Sequence, residues 1–459
     1  MNRRTFLKLS GMAPAGLAFV DSQSAAAADS SPQKDEKSNF KLHIAPVSLE
    51  IGSGKVIKTV GYNGSVPGSI LRFTEGKAVT VDVFNDTDVP EVVHWHGQLI
   101  PSAVDGSLEE GTPPVMPGSH RRVRFTPKPA GTRWYHTHTM AHADLSRAGF
   151  SGQFGIAIVE PARHPGAYDQ EICIAAHHWE PSIANMGPPD NGFEIAYKSA
   201  TFNGKMLGAG EPVRVRQGQR VLFRLLNASA TDEIRLALPG HRFTVIAMDG
   251  NPVPRPQTVD ILYLDIAERI DAIVEMNTPG VWVFGAVKED DRKMGMGVVI
   301  EYANKAGEPQ WQQPGSVERG PWDYSQFGSD RPAPEPDHQF EMKFQKIPGN
   351  RKDFNHWTIN GKSFPDIEKL RVQKGKRYRL LFNNDSGDIH PLHLHRHTFE
   401  ITQIGEKRTA GIMKDVVSVA RRSTAAIDFV ADNPGLTLFH CHMQLHMDFG
   451  FMQLIEYAG

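Results

Sequence analysis

Three segments of the chain repeat one pattern at domain-sized intervals, and this repetition limits the folds open to it. Tyr62-Asn63-Gly64 leads to Glu75-Gly76-Lys77, then an alternating stretch ending Val83-Phe84-Asn85-Asp86. Phe202-Asn203-Gly204 leads to Gln217-Gly218-Gln219, then Val221-Leu222-Phe223 and Asn227. Ile359-Asn360-Gly361 leads to Lys374-Gly375-Lys376, then Tyr378 to Phe382 and Asn384. The second glycine precedes the closing asparagine by nine residues in every copy, and the copies start 140 and 157 residues apart. That spacing is far longer than a solenoid repeat. Each copy reads as an Asn-Gly turn, a short strand, a glycine turn, and a strand rich in β-branched and aromatic residues. Long 3.6-residue periodicity is scarce, while 42 glycines and 32 prolines favour turns. The expected fold is all-β: three antiparallel β-sandwich domains in tandem, at about 38–161, 162–303 and 338–459. Residues 304–337 carry six prolines, with Trp311 and Trp322 interspersed, and read as a linker wrapped on the domains.

The total of 459 residues also calls for two or three domains. With 40% hydrophobic and 22% charged residues, the chain is neither disordered nor a polytopic membrane protein. Its 50 basic and 52 acidic residues give no electrostatic case for nucleic acid. The start, Met1-Asn2-Arg3-Arg4-Thr5-Phe6-Leu7-Lys8, precedes an apolar stretch from Leu9 to Val20 and the run Ala26-Ala27-Ala28. A basic start, a short apolar core and an Ala-x-Ala exit describe a secretory signal. Adjacent Arg3 and Arg4 resemble the twin-arginine form. Residues 1–28 are therefore expected to be an export signal engaging the twin-arginine machinery. The apolar stretch is too short for a stable membrane anchor, so the mature protein is expected in the periplasm or otherwise exported.

Histidine placement carries the chemistry. His-x-His occurs at His94/His96, His136/His138, His393/His395, His395/His397 and His440/His442. Random placement of 20 histidines in this length gives roughly one such pair. In a strand, positions i and i+2 share a face, so each pair is a ready two-nitrogen metal clamp. In His440-Cys441-His442, Cys441 points away from its neighbours and serves a different metal. The offset of three between His390 and His393 puts these on opposite faces of a regular strand. His390 can then join Cys441 and His446, a two-histidine, one-thiolate set of the blue-copper kind. Eight histidines remain, drawn equally from the first and third domains: His94, His96, His136, His138, His393, His395, His440 and His442.

Val93-His94-Trp95-His96-Gly97, Tyr135-His136-Thr137-His138, His390-Pro391-Leu392-His393-Leu394-His395 and His440-Cys441-His442 with His446 resemble the four copper segments of multicopper oxidases. Their order is similar to that of laccase-like bacterial members with three cupredoxin-like, Greek-key domains. The likeness extends into the ligand-free middle domain at Gly240-His241-Arg242-Phe243-Thr244 and Met248-Asp249-Gly250. The resemblance implies four copper ions. Type 1 copper falls to His390, Cys441 and His446, and type 2 copper to His94 and His393. The type 3 pair falls to His96, His136 and His442 on one ion and His138, His395 and His440 on the other. It further implies that electrons enter at type 1, beside His390, and cross Cys441 to the cluster, where dioxygen becomes water.

Several positions depart from the family pattern. The axial type 1 position is Phe451, which cannot ligate; a register shift of one would instead make Met452 axial. Asp105 matches an acidic position near type 2 copper and is expected to act in proton transfer, or else only to shape an Asp-Gly turn. Met447 stands where many bacterial members have a relaying glutamate, so that relay is either missing or replaced by Asp448. Arg396 stands where glycine is usual. His397, His142, His120, His177, His178 and His241 are expected to be structural or surface residues, and Cys173 a buried free thiol. A Cys173–Cys441 disulfide would remove the type 1 thiolate and is rejected. No methionine-rich insertion occurs, so the leading donor class is phenols and aromatic amines. Metal ions such as Cu(I), Fe(II) or Mn(II) come second, and copper binding without turnover third. A cell-division scaffold would have lost the ligands, and a zinc hydrolase leaves Cys441 unexplained. Three domains in one chain suffice to enclose the cluster, so a monomer is expected.

Overall fold

The repeated Asn-Gly pairs do the same work three times. Asn63, Asn203 and Asn360 all adopt a positive φ, of 53°, 49° and 53°. Each side chain then pins its turn to a neighbouring strand. The Oδ1 atoms accept from the backbone N–H of His43, Ala175 and Lys343, and the Nδ2 atoms donate to the carbonyls of Lys41, Cys173 and Glu341. The closing asparagines repeat as well. Asn85, Asn227 and Asn384 accept through Oδ1 from the N–H of Thr87, Ser229 and Ser386, and donate through Nδ2 to carbonyls across the loop.

The computed structural model describes residues 37–161, 168–185, 187, 192–315, 322–349 and 354–458. The export signal expected at residues 1–28 lies outside the described residues. Residues 38–459 form one compact unit. Between Phe40 and Glu160, two four-stranded sheets face each other. A six-stranded and a five-stranded sheet follow between Gln170 and Tyr302, and the same pair recurs between His338 and Tyr457. Each sandwich is thus of the cupredoxin kind. The pairing is not purely antiparallel as expected. In every sandwich the first strand runs parallel to the strand that ends in the closing asparagine: Phe40–Gly52 with Val79–Asn85, Gln170–Trp179 with Arg220–Asn227, and His338–Ile347 with Arg377–Asn384. Greek-key connections bring these strands together, and the residues carry no local sign of it.

Tyr324 donates to Glu268 of the second sandwich, while Lys407 of the third reaches Asp323 at 2.5 Å. The described part of 304–337 therefore lies against both. The first and third sandwiches are joined by Arg396. Its φ is 60°, a left-handed conformation that costs a non-glycine residue roughly 1–2 kcal/mol. The buried guanidinium offsets this by donating to the carbonyls of Ile100, Leu436, Asn433 and Pro434 and to the Thr437 hydroxyl.

Candidate metal centre

The strand His390–Leu394 pairs antiparallel with Thr437–Cys441, setting Leu392 opposite Cys441 and His393 opposite His440. This register separates two sets of donors. On one side, the helical turn Gln444–Asp448 brings His446 to Cys441 and His390. His390 Nδ1 and His446 Nδ1 lie 3.2 Å apart, and each is 3.5 Å from Cys441 Sγ. Three donors about 2.0–2.3 Å from a shared centre, in a trigonal arrangement, stand roughly 3.5–4 Å from one another. All three residues are buried. Burial pushes the Cys441 thiol up and holds His390 down at about 4, so the bare site favours a neutral thiol. A thiolate there needs a cation.

On the other side, Val93–His96 pairs with Gly131–Thr137 so that His94 faces His136. These histidines meet those of the third sandwich: His96 stacks on His393 with ring centres 3.7 Å apart, and His94 on His395 at 4.0 Å. The hydrogen bonds around the rings fix which nitrogen carries the proton. His136 Nδ1 donates to Thr137 O, and His96 Nε2 to Asp415 Oδ1. Their other nitrogens, both lone pairs, face each other at 3.4 Å. Likewise His440 Nδ1 donates to Cys441 O and His395 Nδ1 to Asp105 Oδ2, leaving two Nε2 lone pairs 3.1 Å apart. His94 and His393 donate through Nδ1 to the carbonyls of Asp105 and Asp415, and their buried Nε2 atoms have no protein partner. His442 Nε2 is buried without a partner too. Burial holds His440 down at about 3, so a proton does not relieve this crowding near neutrality. Lone pairs converging without protons suit a set of metal cations.

Two carboxylates hold the rings. Asp105 ends the short helix Ser102–Asp105, and Gly106 follows at φ 98°, where a Cβ would overlap the Val93 carbonyl. Asp105 is both a turn residue and a histidine partner: its Oδ2 is 2.8 Å from His395 Nδ1 and 3.2 Å from His94 Nδ1. Its Oδ1 is buried and unpartnered. Glu110 lies 3.5 Å from the same His395 nitrogen, and burial followed by the Asp105 charge raises it well above the carboxylate range. Asp415 serves His96 and His393 and is gripped by Arg269 at 2.7 and 2.6 Å, with Arg133 at 3.3 Å. Arg269 belongs to the ligand-free second sandwich, which thereby orients a site to which it gives no donor. Sequence reasoning missed Glu110, Asp415, Arg269 and Arg133, since isolated charged residues carry no spacing signal.

The departures resolve as follows. The Phe451 ring packs 4.7 Å from that of His390, whereas Met452 packs with Leu438 and Met447. His390 is fully enclosed and its Nε2 is 2.8 Å from Ser386 Oγ. The part-exposed aromatic side chains lie instead on the His446 side, where Trp357 stacks on His446 at 3.8 Å. Both cysteines are free, but Cys173 is only partly buried, because its strand presents it to a part-open face. His177, His178, His241 and His397 bond to nearby protein groups, while His120 stacks on Phe84 and His142 meets Phe449 edge-on.

A thiolate site beside a multi-histidine chamber defines a copper-dependent oxidase. Multicopper oxidase family models match residues 44–164, 181–304 and 334–458. Multicopper oxidase MmcO of Mycobacterium tuberculosis is 30% identical over 450 residues, covering 90% of this chain and 85% of that protein. Bilirubin oxidase of Albifimbria verrucaria is 26% identical over 466 residues, covering 90% and 75%. The crystal structure of the multi-copper oxidase from Pseudomonas Thermotolerans superposes with a TM-score of 0.71 at 26% identity, covering 92% of this chain and 100% of that one. The chain belongs to the multicopper oxidase family, oxidoreductases that use oxygen as acceptor and typically bind four coppers of three types.

Proposed function

We propose that His390, Cys441 and His446 hold type 1 copper, that His94 and His393 hold type 2, and that His96/His136/His442 and His138/His395/His440 hold the type 3 pair. The observation that carries this reading is the convergence of lone pairs, turned toward one another at His96/His136 and His395/His440 by hydrogen bonds on the far side of those four rings. Bound copper supplies one-electron oxidation of a donor at the first site and reduction of dioxygen to water at the second. The chain supplies the path between them, because Cys441 shares its backbone with His440 and His442. Asp105 keeps the His94 and His395 rings in place and offers its free Oδ1 as a proton carrier. Phe451 presents no donor atom, so His390, Cys441 and His446 would be the side chains that hold the ion at the first site.

The donor is a phenol or aromatic amine. Part-exposed Phe354 and Phe449 pack on each other at 5.1 Å, and Phe354 adjoins the Trp357 that stacks on His446. A planar aromatic ring fits such a surface. A metal-ion donor is the second reading, favoured by the carboxylates there: Asp388 accepts from Trp357 Nε1 at 3.1 Å, and Lys346 lies 3.1 Å from Asp388 and 3.8 Å from Glu194. Burial, then the Asp388 charge, pushes Glu194 up to about 7, which leaves it half neutral at ordinary pH. Export by the twin-arginine route and action as a monomer in the periplasm complete the proposal. The test is oxygen uptake by the copper-loaded protein with a phenolic donor and with Cu(I) in parallel, against Cys441→Ser. Uptake with the phenol that vanishes in the variant supports the first reading. Uptake with Cu(I) alone, corrected for spontaneous oxidation, supports the second. No uptake from fully loaded protein overturns the oxidase reading for both donors.

A further inference from the structure

The rings of the chamber differ in how their outer nitrogens are held. His94, His96, His136, His393, His395 and His440 each donate one N–H to a carbonyl or carboxylate at 2.7–3.0 Å. His138 does not: its Nδ1 is buried and has no partner among the described residues. A carboxylate faces that nitrogen all the same. Glu109 Oε2 lies 4.0 Å from His138 Nδ1, beyond hydrogen-bond reach, and accepts from Ser107 Oγ at 2.8 Å. Neither the copper assignment nor the role given to Asp105 uses Glu109. The gap follows from where the His138 proton sits. Burial, then the His440 and His94 rings, holds His138 well below its ordinary value, so the imidazole is neutral with one N–H. Its Nε2 is 3.4 Å from His440 Nε2, a lone pair, because His440 donates through Nδ1 to Cys441 O. The acceptor within reach is on that side, and the proton belongs there. Nδ1 then turns its own lone pair toward Glu109, and the two acceptors stay apart.

We propose that Glu109 is the positioning residue of His138, closing on Nδ1 when Nε2 gives up its proton to ligate copper. The Nε2 proton leaves to water and Nδ1 takes one from water, so the ring keeps a single N–H. Glu109 Oε2 then faces a donor instead of a lone pair. It stands in the turn that follows the short helix Ser102–Asp105, and a shift of about 1 Å brings it to hydrogen-bond distance. The bond would fix the ring and raise its basicity as a ligand. Glu110, the next residue, lies 3.5 Å from His395 Nδ1. Adjacent glutamates thereby address two ligands of one proposed ion, and His138 is the ring that must change its tautomer on loading.

The inference rests on the type 3 assignment, and the test separates the two. Copper in the chamber of the loaded protein is titrated with a chelator while the blue band is followed. Glu109→Ala should lower chamber affinity about 10–100-fold, with the blue band and the urea midpoint of the metal-free protein at wild-type values. Glu109→Gln keeps an acceptor oxygen and should recover most of that affinity. Ser107→Ala removes only the brace on Glu109 and should stay near wild type. Wild-type affinity in Glu109→Ala overturns the proposal, and so does an equal loss in Ser107→Ala, which would trace the effect to the turn. Full copper retention by His138→Ala overturns the assignment beneath it instead. Should Glu109→Ala fold poorly, nitrogen-15 resonance of the wild-type histidines decides. The His138 N–H should sit on Nε2 in metal-free protein and on Nδ1 in protein loaded with Cu(I), and an unchanged tautomer overturns the proposal.

Discussion

The two donor sets are built at different levels of structure. His390, Cys441 and His446 come from one sandwich, brought together by a single strand register and a helical turn. The eight-histidine chamber exists only where the first and third sandwiches dock, under a clamp from the second. Damage to docking should therefore spare the first set and dismantle the other, while loss of a donor from the first set alone should leave the chamber in place.

The largest effect is expected from Cys441→Ser: donor oxidation and blue absorbance disappear while copper on the eight histidines remains. Copper analysis with paramagnetic resonance checks this, and retained oxidation would refute the division of labour. Arg269→Ala sharpens the comparison from the other side. Asp415 then loses its bidentate partner, and copper affinity of the chamber should fall about 10–100-fold, as for other supporting partners of metal ligands. The blue band should persist through a chelator titration; losing both sets together would break the contrast. A smaller change is expected from Phe451→Met, which places a thioether beside His390 and should lower the type 1 potential in a redox titration, with turnover kept.

The mildest prediction concerns acid. Burial holds His177 at about 4 and His178 at about 3, against about 6.5 when unfolded. Their folded values are depressed, so their stabilisation is complete above about 6.5. It falls as pH drops below about 6.5, where the unfolded chain takes up protons, and the decline ends toward about 3, where the folded protein binds them as well. Urea midpoints of the metal-free protein should decline through that window, and less so in a His178→Asn variant. A flat profile would refute it.

The strand-spaced histidines and the Asn-Gly repeat were readable because each is periodic and local. His390 and His393 do separate onto two faces, as their offset required. The supporting charges were not readable: Asp415, Arg269 and Arg133 lie far apart in sequence and meet only through docking. Arg396 was visible as a departure, yet its meaning depends on four carbonyls and a hydroxyl that no spacing reveals. The parallel pairs, two in each sandwich, escaped for a similar reason, since they join strands that are not neighbours in the chain.

The orientation of the histidine rings before any metal arrives has a kinetic consequence. Asp105, Asp415, Thr137 and Cys441 hold the distal nitrogens of His395, His96, His136 and His440, so an ion entering there meets four donors already turned inward, while His138 Nδ1 has no such partner. Binding at those four rings needs no reorientation, and the repulsion among crowded lone pairs becomes a driving force that binding releases.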